Sequence, residues 1–376
     1  MHARVLPLKE LPGRAYWDDA YAQAERDTVL ARNWVHVASG FELPEPGDAL
    51  PISHAGKPVL LVRQADGTIR GFHNVCRHRG CQLVTAPQSR RALLSCPFHL
   101  WAYRLDGRLH KTPFWDPADR TAPEGFDPAR FGLMPVATAT WCDQVFVRLA
   151  DDGPSFAEHI APLARRWQPY ELSLARYGGH ATYEIRANWK LVIQNFLDTL
   201  HLPFLHPQLG DVEKAKHYVD VNEDDTVIGI HYLSGAVDKP KGDGAMPIFP
   251  NLPPALMRGQ DIVVLYPNTM LEIVPGHILI FRIEPVAPAL TREVISAYFV
   301  GDGATDPAFA SARKDLLAAW DTLNRQDFAV VTAWQAAQVS PAAENQPEVS
   351  PVWEMSGAAF RGRIAREVRA REVGAR

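Results

Sequence analysis

The feature that most constrains this chain is a pair of short segments that each combine one cysteine with one histidine. The first segment supplies Cys76 and His78, and the second, after seventeen intervening residues, supplies Cys96 and His99. A structural zinc site usually groups like ligands, with two cysteines followed by two histidines. One cysteine and one histidine from each loop is instead typical of a [2Fe–2S] cluster with two thiolates on one iron and two imidazoles on the other. We therefore predict such a cluster, with a tetrahedral zinc site as the alternative.

Short β-rich runs surround these segments. Residues 58–62 and 145–147 are strand-like, and Asp-Gly pairs in the sequence between them are typical of turns. The pattern predicts a small all-β domain over residues 41–150. Residues 1–40 are interpreted as a helical lead-in that packs on a second domain, which takes up residues 151–376. A chain of 376 residues is long enough for two such domains.

A second cluster of polar residues lies within the second domain. Asn195, Asp198 and His201 recur every three residues on a helix predicted over 188–202, and His206 follows four residues after His201. Two imidazoles and one carboxylate with open positions form the facial triad of non-haem Fe(II) oxygenases. The sequence therefore predicts a mononuclear iron site, for which a carboxylate ligand is still needed.

Two aspartates compete for that third position. Asp198 is close in sequence, but a long helix predicted over 308–338 carries a buried carboxylate on its apolar stripe. A buried carboxylate requires a cation or several hydrogen bonds, so Asp327 is the preferred ligand and Asp198 the alternative. The stripe consists of Leu316, Trp320, Leu323, Asp327, Val330 and Trp334.

Composition excludes several other classes of protein. The net charge is −4 with both signs mixed along the chain, so no basic surface for nucleic acid is expected. No apolar run approaches the roughly 20 residues of a membrane helix, and the N-terminus lacks the apolar core of a secretory signal. Four cysteines are too few for a disulfide scaffold of this size. We expect a cytoplasmic protein that uses cysteine for metal chemistry.

These motifs resemble those of the Rieske non-haem iron oxygenase α-subunits, the aromatic ring-hydroxylating and choline-monooxygenase-like family. The cluster segment and the following Trp-Ala-Tyr-Arg-Leu-Asp-Gly at 101–107 are similar to their Rieske domain. The spacing Asn-x-x-Asp-x-x-His-x₄-His at 195–206 resembles their iron motif, and Gln326-Asp327 resembles the segment that supplies their carboxylate. The resemblance implies an α+β fold, with an N-terminal all-β Rieske domain and a C-terminal helix-grip domain whose antiparallel sheet surrounds a long helix.

The resemblance also implies roles for individual residues. Tyr103 would hydrogen-bond a cluster cysteine sulfur, and Asp198 would link His99 of one subunit to His201 of its neighbour, with Asn195 of the same motif as the other catalytic residue. The cluster ligands would be Cys76, His78, Cys96 and His99, and the iron ligands would be His201, His206 and Asp327.

Three positions depart from common Rieske patterns. Leu100 stands where the family usually has glycine, which changes the local turn without removing a ligand. Gln326 stands where relatives more often have glutamate. Cys81 occupies the place of one half of a disulfide found in respiratory Rieske proteins, but Phe98 stands at the place of the other half, so Cys81 is expected to be an unpaired thiol.

The implied function is that of the oxygenase component of a multi-component system. NAD(P)H would reduce a separate flavin and iron–sulfur reductase, since this chain has no dinucleotide-binding Gly-x-Gly-x-x-Gly fingerprint. Electrons would pass to the Rieske cluster and then to Fe(II) of the next subunit in a homotrimer, where O₂ is activated.

The substrate is left open between quaternary ammonium compounds and aromatic acids. Hydroxylation or oxidative demethylation is preferred over the alternative of cis-dihydroxylation of an aromatic ring. A non-catalytic Rieske electron carrier is the competing class, and the cluster of residues at 195–206 argues against it.

Overall fold

The computed structural model of the protein describes residues 11–113, 125–209, 218–233, 246–345, 350 and 353–374. The chain forms two compact units. One unit runs from Leu30 to Gly153, and the other combines the N-terminal part up to Val29 with the chain from Pro154 onwards. The first consists mainly of strands and turns and the second mixes a large sheet with helices, which confirms the predicted α+β class. Among the described residues, no helix combines the length and apolarity that a membrane crossing requires.

Two antiparallel sheets build the unit from Leu30 to Gly153. Its strands are β1 (Val35–Ser39), β2 (Ala49–His54), β3 (Lys57–Arg63), β4 (Ile69–His73), β5 (Leu94–Ser95), β6 (Ala102–Tyr103), β7 (Leu109–Lys111), β8 (Pro135–Trp141) and β9 (Gln144–Arg148). The larger sheet has the order β1-β9-β8-β4-β3-β2, and the smaller has the order β5-β6-β7.

Strand β3 lies between two hydrophobic cores, because its side chains are buried on both faces of the sheet. Leu60 and Val62 pack in the cluster that contains Cys76 and Cys96. The intervening Leu61 packs in a second cluster on the opposite face. The two cysteine loops therefore pack against the buried centre of β3.

The second unit is built on one seven-stranded antiparallel sheet. Its strands are β10 (Ala175–Ile185), β11 (Tyr218–Glu223), β12 (Val227–Leu233), β13 (Gly259–Leu265), β14 (Thr269–Val274), β15 (His277–Ala287) and β16 (Leu290–Val300), in the order β10-β16-β15-β14-β13-β12-β11. Its helices are α1 (Asp19–Glu25), α2 (Phe156–Arg166), α3 (Trp189–Leu197), α4 (Leu202–Leu205), α5 (Ala310–Ala337) and α6 (Met355–Gly374).

One face of this sheet, called the inner face below, packs against α3 and α5. The ring of Phe281 on β15 lies 5.0 Å from that of Trp320 on α5 and 5.5 Å from that of Phe196 on α3, measured between centroids. On the opposite face, Trp167 donates its indole N–H to Asp261 on β13 (2.8 Å). A 28-residue helix held on one face of an antiparallel sheet confirms the predicted helix-grip arrangement.

The helical prediction for the start of the chain was wrong over residues 35–39. Val35 and Val37 are β-branched and alternate with smaller or polar residues, a pattern that favours a strand. These residues form β1, which pairs with β9 and belongs to the unit from Leu30 to Gly153.

The helix predicted over 188–202 is also shorter than expected. It ends at Leu197, because Asp198 adopts an extended backbone and its carboxylate accepts the N–H of Leu200 (2.7 Å). Such local side-chain hydrogen bonds compete with helix continuation. Asn195, Asp198 and His201 therefore do not share one helical face.

The long helix forms as predicted, but its buried side is rotated from the predicted stripe. Val330 is exposed, whereas Asn324, Val331 and Gln335 are buried. The two buried amides have polar partners, since Asn324 donates to Glu293 (2.5 Å) and Gln335 donates to a backbone carbonyl oxygen (3.0 Å). A stripe drawn from apolar residues alone cannot show such partnered polar positions.

Candidate metal centres

The two cysteine loops close in the same way. The N–H of Gly80 reaches the carbonyl of Cys76 (3.0 Å), and the N–H of Leu100 reaches the carbonyl of Cys96 (3.0 Å). Gly80 and Leu100 each lie four residues after a cysteine and both adopt positive φ, +74° and +59°. The loops are thus local equivalents, and Leu100 adopts in the second loop a conformation that glycine supplies in the first.

Four potential ligands converge between these loops. Cys76 and Cys96 are buried, and the rings of His78 and His99 lie 4.8 Å apart at 70° to one another. Nδ1 of His99 is buried without a hydrogen-bond partner among the described residues. Two buried thiols beside two neighbouring imidazoles are the donor set of a mixed cysteine and histidine [2Fe–2S] cluster, and the residues fit that group.

Tyr103 is positioned to act on one of the thiols. Its hydroxyl accepts the backbone N–H of Arg77 (2.9 Å) and lies 3.2 Å from the sulfur of Cys76. Because the hydroxyl oxygen already accepts a hydrogen bond, its own proton is available to the sulfur. Burial raises the pKa of the Cys76 thiol, and the Tyr103 hydrogen bond opposes this effect.

Apolar side chains are exposed beside His99. Phe98 is 58% exposed and Leu100 is 53% exposed. We call these two residues the cluster-tip patch. Large exposed apolar groups on either side of a proposed ligand are typical of a contact surface.

The second candidate centre consists of His201, His206 and Asp327, whose ligand atoms all lie within 4.8 Å of one another. The two histidines flank the single turn of α4, and Asp327 lies on α5. Oδ1 of Asp327 lies 3.1 Å from Nε2 of His206 and 3.6 Å from Nε2 of His201. Ligand atoms about 2.1 Å from one ion and at right angles to each other lie about 3.0 Å apart, so this set fits a bound metal ion.

The outer nitrogens of both imidazoles face polar side chains. Nδ1 of His206 lies 2.7 Å from Oε1 of Gln326, and Nδ1 of His201 lies 3.6 Å from Oδ2 of Asp198. Burial lowers the pKa of His206, but its contacts with Asp327 and Gln326 outweigh burial and raise it overall. Asp198 thus lies behind His201, whereas Asp327 lies in front of both rings.

Sequence reasoning missed the orienting role of Gln326, which it treated only as a neighbour of Asp327. Gln326 also accepts a hydrogen bond from Gln208 (2.8 Å), so its oxygen is held in place. Only the fold brings it to His206, 120 positions away in sequence. Asn195 contributes through its backbone, where its carbonyl accepts the N–H of Asp198 (3.2 Å) and closes the last turn of α3.

Exposed apolar residues also surround the second centre. Phe204 on α4 is 74% exposed, and Leu200 and Leu209 on either side of the histidines are exposed as well. We call these three residues the iron-side patch.

Comparison with known protein families agrees with these two centres. The family described as the ring hydroxylating alpha subunit (catalytic domain) matches residues 172–369, more than half of the chain. The Rieske [2Fe-2S] domain matches residues 33–123. The chain belongs to the ring-hydroxylating α-subunit family. The two matched domains imply a Rieske cluster and a mononuclear iron that works with O₂, which confirms the family and the cofactors predicted from the motifs.

Several relatives of this α-subunit are named for quaternary ammonium substrates. The glycine betaine monooxygenase oxygenase subunit of Pseudomonas aeruginosa is 34% identical over 53% of the chain. The carnitine monooxygenase oxygenase subunit of Escherichia coli is 28% identical over 79% of the chain and 76% of its own length. The match to the first of these spans under half of that protein, 45%.

Solved structures share the fold of this α-subunit over nearly its whole length. The quaternary ammonium Rieske monooxygenase CntA, in complex with an inhibitor, has a TM-score of 0.77 at 21% identity and covers 97% of the chain and 99% of its own. Naphthalene 1,2-dioxygenase has a TM-score of 0.73 at 18% identity and covers 95% and 91%.

Proposed function

We propose that this α-subunit is the oxygenase component of a Rieske monooxygenase system that hydroxylates or oxidatively demethylates a quaternary ammonium compound. The observation that carries the proposal is the convergence of His201, His206 and Asp327 in a chain that also has a two-cysteine, two-histidine site. A Rieske electron carrier needs only the second of these sites. When bound, the two metal groups supply one-electron transfer and the activation of O₂.

In this proposal Cys76, His78, Cys96 and His99 hold the [2Fe–2S] cluster, and His201, His206 and Asp327 hold the iron. Three protein ligands on one side of an ion leave positions open for small molecules. Gln326 orients the imidazole of His206 through a hydrogen bond, as polar partners of metal-bound histidines generally do, and Asp198 lies 3.6 Å from the imidazole of His201.

Tyr103 adjusts the cluster in the same scheme. Its hydroxyl donates to the sulfur of Cys76, which stabilises negative charge on the thiolate. Hydrogen bonds to cluster sulfurs raise reduction potentials, because the reduced cluster is the more negative form. The Rieske site would therefore accept electrons from a separate reductase more readily.

We further propose that electrons pass between copies of the chain arranged head to tail, as in a homotrimer. The cluster-tip patch and the iron-side patch are both exposed and apolar, and each lies beside one of the two metal centres. Two different patches that meet generate a ring of subunits when the rotation closes. Inter-subunit electron transfer is described for the quaternary ammonium monooxygenase CntA, and the bridge in this chain would be Asp198, between His99 and His201.

The quaternary ammonium substrate class is proposed from the names of the relatives. Those at 34% and 28% identity act on glycine betaine and carnitine. Naphthalene 1,2-dioxygenase shares the fold only, so cis-dihydroxylation of an aromatic ring is the second candidate.

Metal analysis tests the class of protein. The oxygenase should contain about three irons and two labile sulfides per chain, against about two and two for a carrier. His201→Ala, His206→Ala and Asp327→Ala should each lose one iron and all turnover while the Rieske spectrum stays intact. A colourless protein with one zinc per chain would exclude the proposal. If Asp327→Ala keeps its iron and activity, Asp198 becomes the candidate ligand.

Turnover tests the reaction. With a reductase, NADH and O₂, the enzyme should release formaldehyde from, or hydroxylate, at least one of choline, glycine betaine and carnitine. Conversion of naphthalene to a cis-diol, with none of these three consumed, would support the second candidate instead.

A further inference from the structure

An acidic residue lies on the inner face of the sheet, the face that packs against α3 and α5. Glu272 on β14 stands opposite Leu279 of β15, which is two residues from Phe281 and therefore on the same face. Phe281 contacts Trp320 of α5 and Phe196 of α3. Helix α3 packs over the two strands that flank β14 and leads into the segment with His201. Glu272 thus faces the same side as the metal site.

The carboxylate of Glu272 is buried without a matching partner. The residue is 5% exposed, and its Oε2 has no hydrogen-bond partner among the described residues. His277, at the start of β15, places its Nε2 3.9 Å from Oε1 of Glu272, and no described residue forms a hydrogen bond with that nitrogen. That separation is too long for a hydrogen bond.

The two residues do not form an ion pair in the free protein. Burial raises the pKa of Glu272 to about 8, although a hydrogen bond from Gln260 acts to lower this pKa. Burial lowers the pKa of His277 to about 4, so this imidazole is neutral near pH 7. A buried acid that lacks a charged partner costs stability unless a bound cation compensates it.

The surrounding charges favour a positive ligand. On β11 to β15 the described inner-face positions include two acids, Asp220 and Glu272, and neither lysine nor arginine. Phe281 stands opposite Met270, one diagonal step from Glu272 on the same face. An acid next to aromatic rings matches a quaternary ammonium group, which has no N–H to donate and is bound by charge and by aromatic faces.

We propose that Glu272, on the inner face and diagonal to Phe281, is the counter-ion that binds the ammonium group of the substrate. This inference rests on the proposed function, because it assigns one residue to selection of the substrate by charge. It also separates the two substrate classes left open by the sequence. A quaternary ammonium group stabilises the ionised form of Glu272 on binding, whereas an aromatic acid brings a second negative charge that opposes this ionisation.

Binding to the oxidised holoenzyme, without reductant, tests the assignment. The probes are choline and its uncharged carbon analogue 3,3-dimethylbutan-1-ol, measured by titration calorimetry. In Glu272→Gln the Kd for choline should rise about 10- to 100-fold, as expected for the loss of a charged partner, while the Kd for the analogue stays unchanged. Glu284→Gln is the matched control, since Glu284 lies on the same sheet but on the opposite face, between Arg282 and Arg292. It should change neither value.

Thermal unfolding separates recognition from a structural role. Glu272→Gln should be at least as stable as the parent, because it removes an acid without a partner, and Glu272→Asp should keep part of the preference for choline. Equal loss of affinity for both probes, or an unchanged ratio of the two Kd values in a folded Glu272→Gln variant, would overturn the assignment. If that variant still oxidises choline as the parent does, the assignment fails and the proposed function stands. A parent enzyme that oxidises no quaternary ammonium compound contradicts the proposed function itself.

Discussion

The two imidazoles of the proposed iron site lie at different distances from their polar neighbours. His206 has Gln326 at 2.7 Å, whereas His201 has Asp198 at 3.6 Å, and that carboxylate is partly exposed. A partly exposed carboxylate that also accepts the N–H of Leu200 is fixed in direction yet open to a second partner. This geometry suits a bridging group for Asp198 and a purely orienting group for Gln326.

Substitution of these two residues should therefore have different effects. Asp198→Asn should keep both iron content and reducibility of the cluster, but slow electron transfer to the iron by about 10- to 100-fold or more. Gln326→Ala should lower iron affinity by about 10- to 100-fold and leave the transfer rate of the iron-loaded fraction unchanged. Iron analysis and stopped-flow bleaching of the reduced cluster with O₂ and substrate measure the two quantities. Iron loss in Asp198→Asn would instead make Asp198 a ligand.

The pKa of Glu272 predicts a pH dependence of stability in the substrate-free protein. An acid whose folded pKa is raised from 4.5 to about 8 keeps its proton longer in the folded state. The free energy of unfolding should therefore fall as pH rises from about 4.5 to 8, by at most about 1.4 kcal/mol per pH unit for one group. The pKa of Glu293, raised to about 8 mainly by burial, adds in the same direction. His277 and His54, whose pKa values burial lowers from 6.5 to about 4, act in the opposite direction between about pH 4 and 6.5, so the net fall is expected between about pH 6.5 and 8.

Unfolding midpoints across this range check the prediction. Glu272→Gln should reduce the decline between about pH 6.5 and 8 without abolishing it, since Glu293 is still present. Saturating choline should flatten the decline in the parent but not in Glu272→Gln. An identical decline in parent and variant would show that the pKa of Glu272 is not raised in the folded protein.

The sequence shows that Leu100 is an unusual residue for its position, but it does not show which backbone conformation Leu100 adopts. The resemblance to Rieske domains marked this position because glycine is usual there, and the structure gives Leu100 a φ of +59°. Its side chain is mostly exposed, so little packing depends on it. Leu100→Gly should be more stable than Leu100→Ala by about 1 kcal/mol, because alanine retains the left-handed backbone strain. Denaturation followed by Rieske absorbance measures the difference, and equal stability would mean that the turn is unstrained.

At the scale of elements, runs of β-branched and aromatic residues predicted the strands of the large sheet well. The runs rich in β-branched and aromatic residues at 270–274, 277–284 and 291–300 predict three of its strands, and all three form with ends that shift by a few residues. The predictions fail where a polar side chain determines where a helix ends or which side of it is buried. Asp198 ends α3 through a local hydrogen bond, and partnered amides rotate the buried side of α5. Neither effect follows from apolar spacing, since both depend on partners that only the folded chain supplies.

One buried ion pair attaches the N-terminal helix to the helix that leads to the iron site. Nζ of Lys190, in the first turn of α3, lies 2.7 Å from Oε1 of Glu25 at the end of α1, and both side chains are buried. The ammonium also lies 5.3 Å from the ring centroids of Tyr16 and Trp189. Nothing in the spacing of the sequence indicated this pair.

Removal of one partner should cost more than removal of both. Lys190→Met leaves a buried, uncompensated carboxylate, and it should lower the free energy of unfolding by about 3–5 kcal/mol. The double variant Lys190→Met with Glu25→Leu should lie close to the parent, because apolar pairs often replace buried ion pairs at little cost. Urea denaturation followed by tryptophan fluorescence compares the three proteins. A double variant as unstable as the single one would show that the pair is worth more than its desolvation.

At the scale of the whole molecule, the sequence predicted both metal centres, and in the proposed scheme the electron route between them depends on how copies of the chain meet. The exposed cluster-tip and iron-side patches are apolar surfaces that a monomer would leave in water. Contact between them in a ring would bury both and bring His99 of one copy towards Asp198 of the next. The route then needs an intact cluster and an intact iron site in different chains.

Mixed oligomers test this route directly. A chain without the cluster (Cys96→Ser) and one without the iron (His206→Ala) should each be inactive as homo-oligomers. Co-expressed with different tags and purified as hetero-oligomers, they should regain activity, because one chain supplies the cluster and the other the iron. In a head-to-tail trimer of both kinds, one junction of three has this productive order, so about one third of the parent rate is expected. The same two proteins mixed after assembly are the control and should remain inactive. If purified hetero-oligomers that contain both metal centres stay inactive, electrons in this enzyme do not pass between subunits.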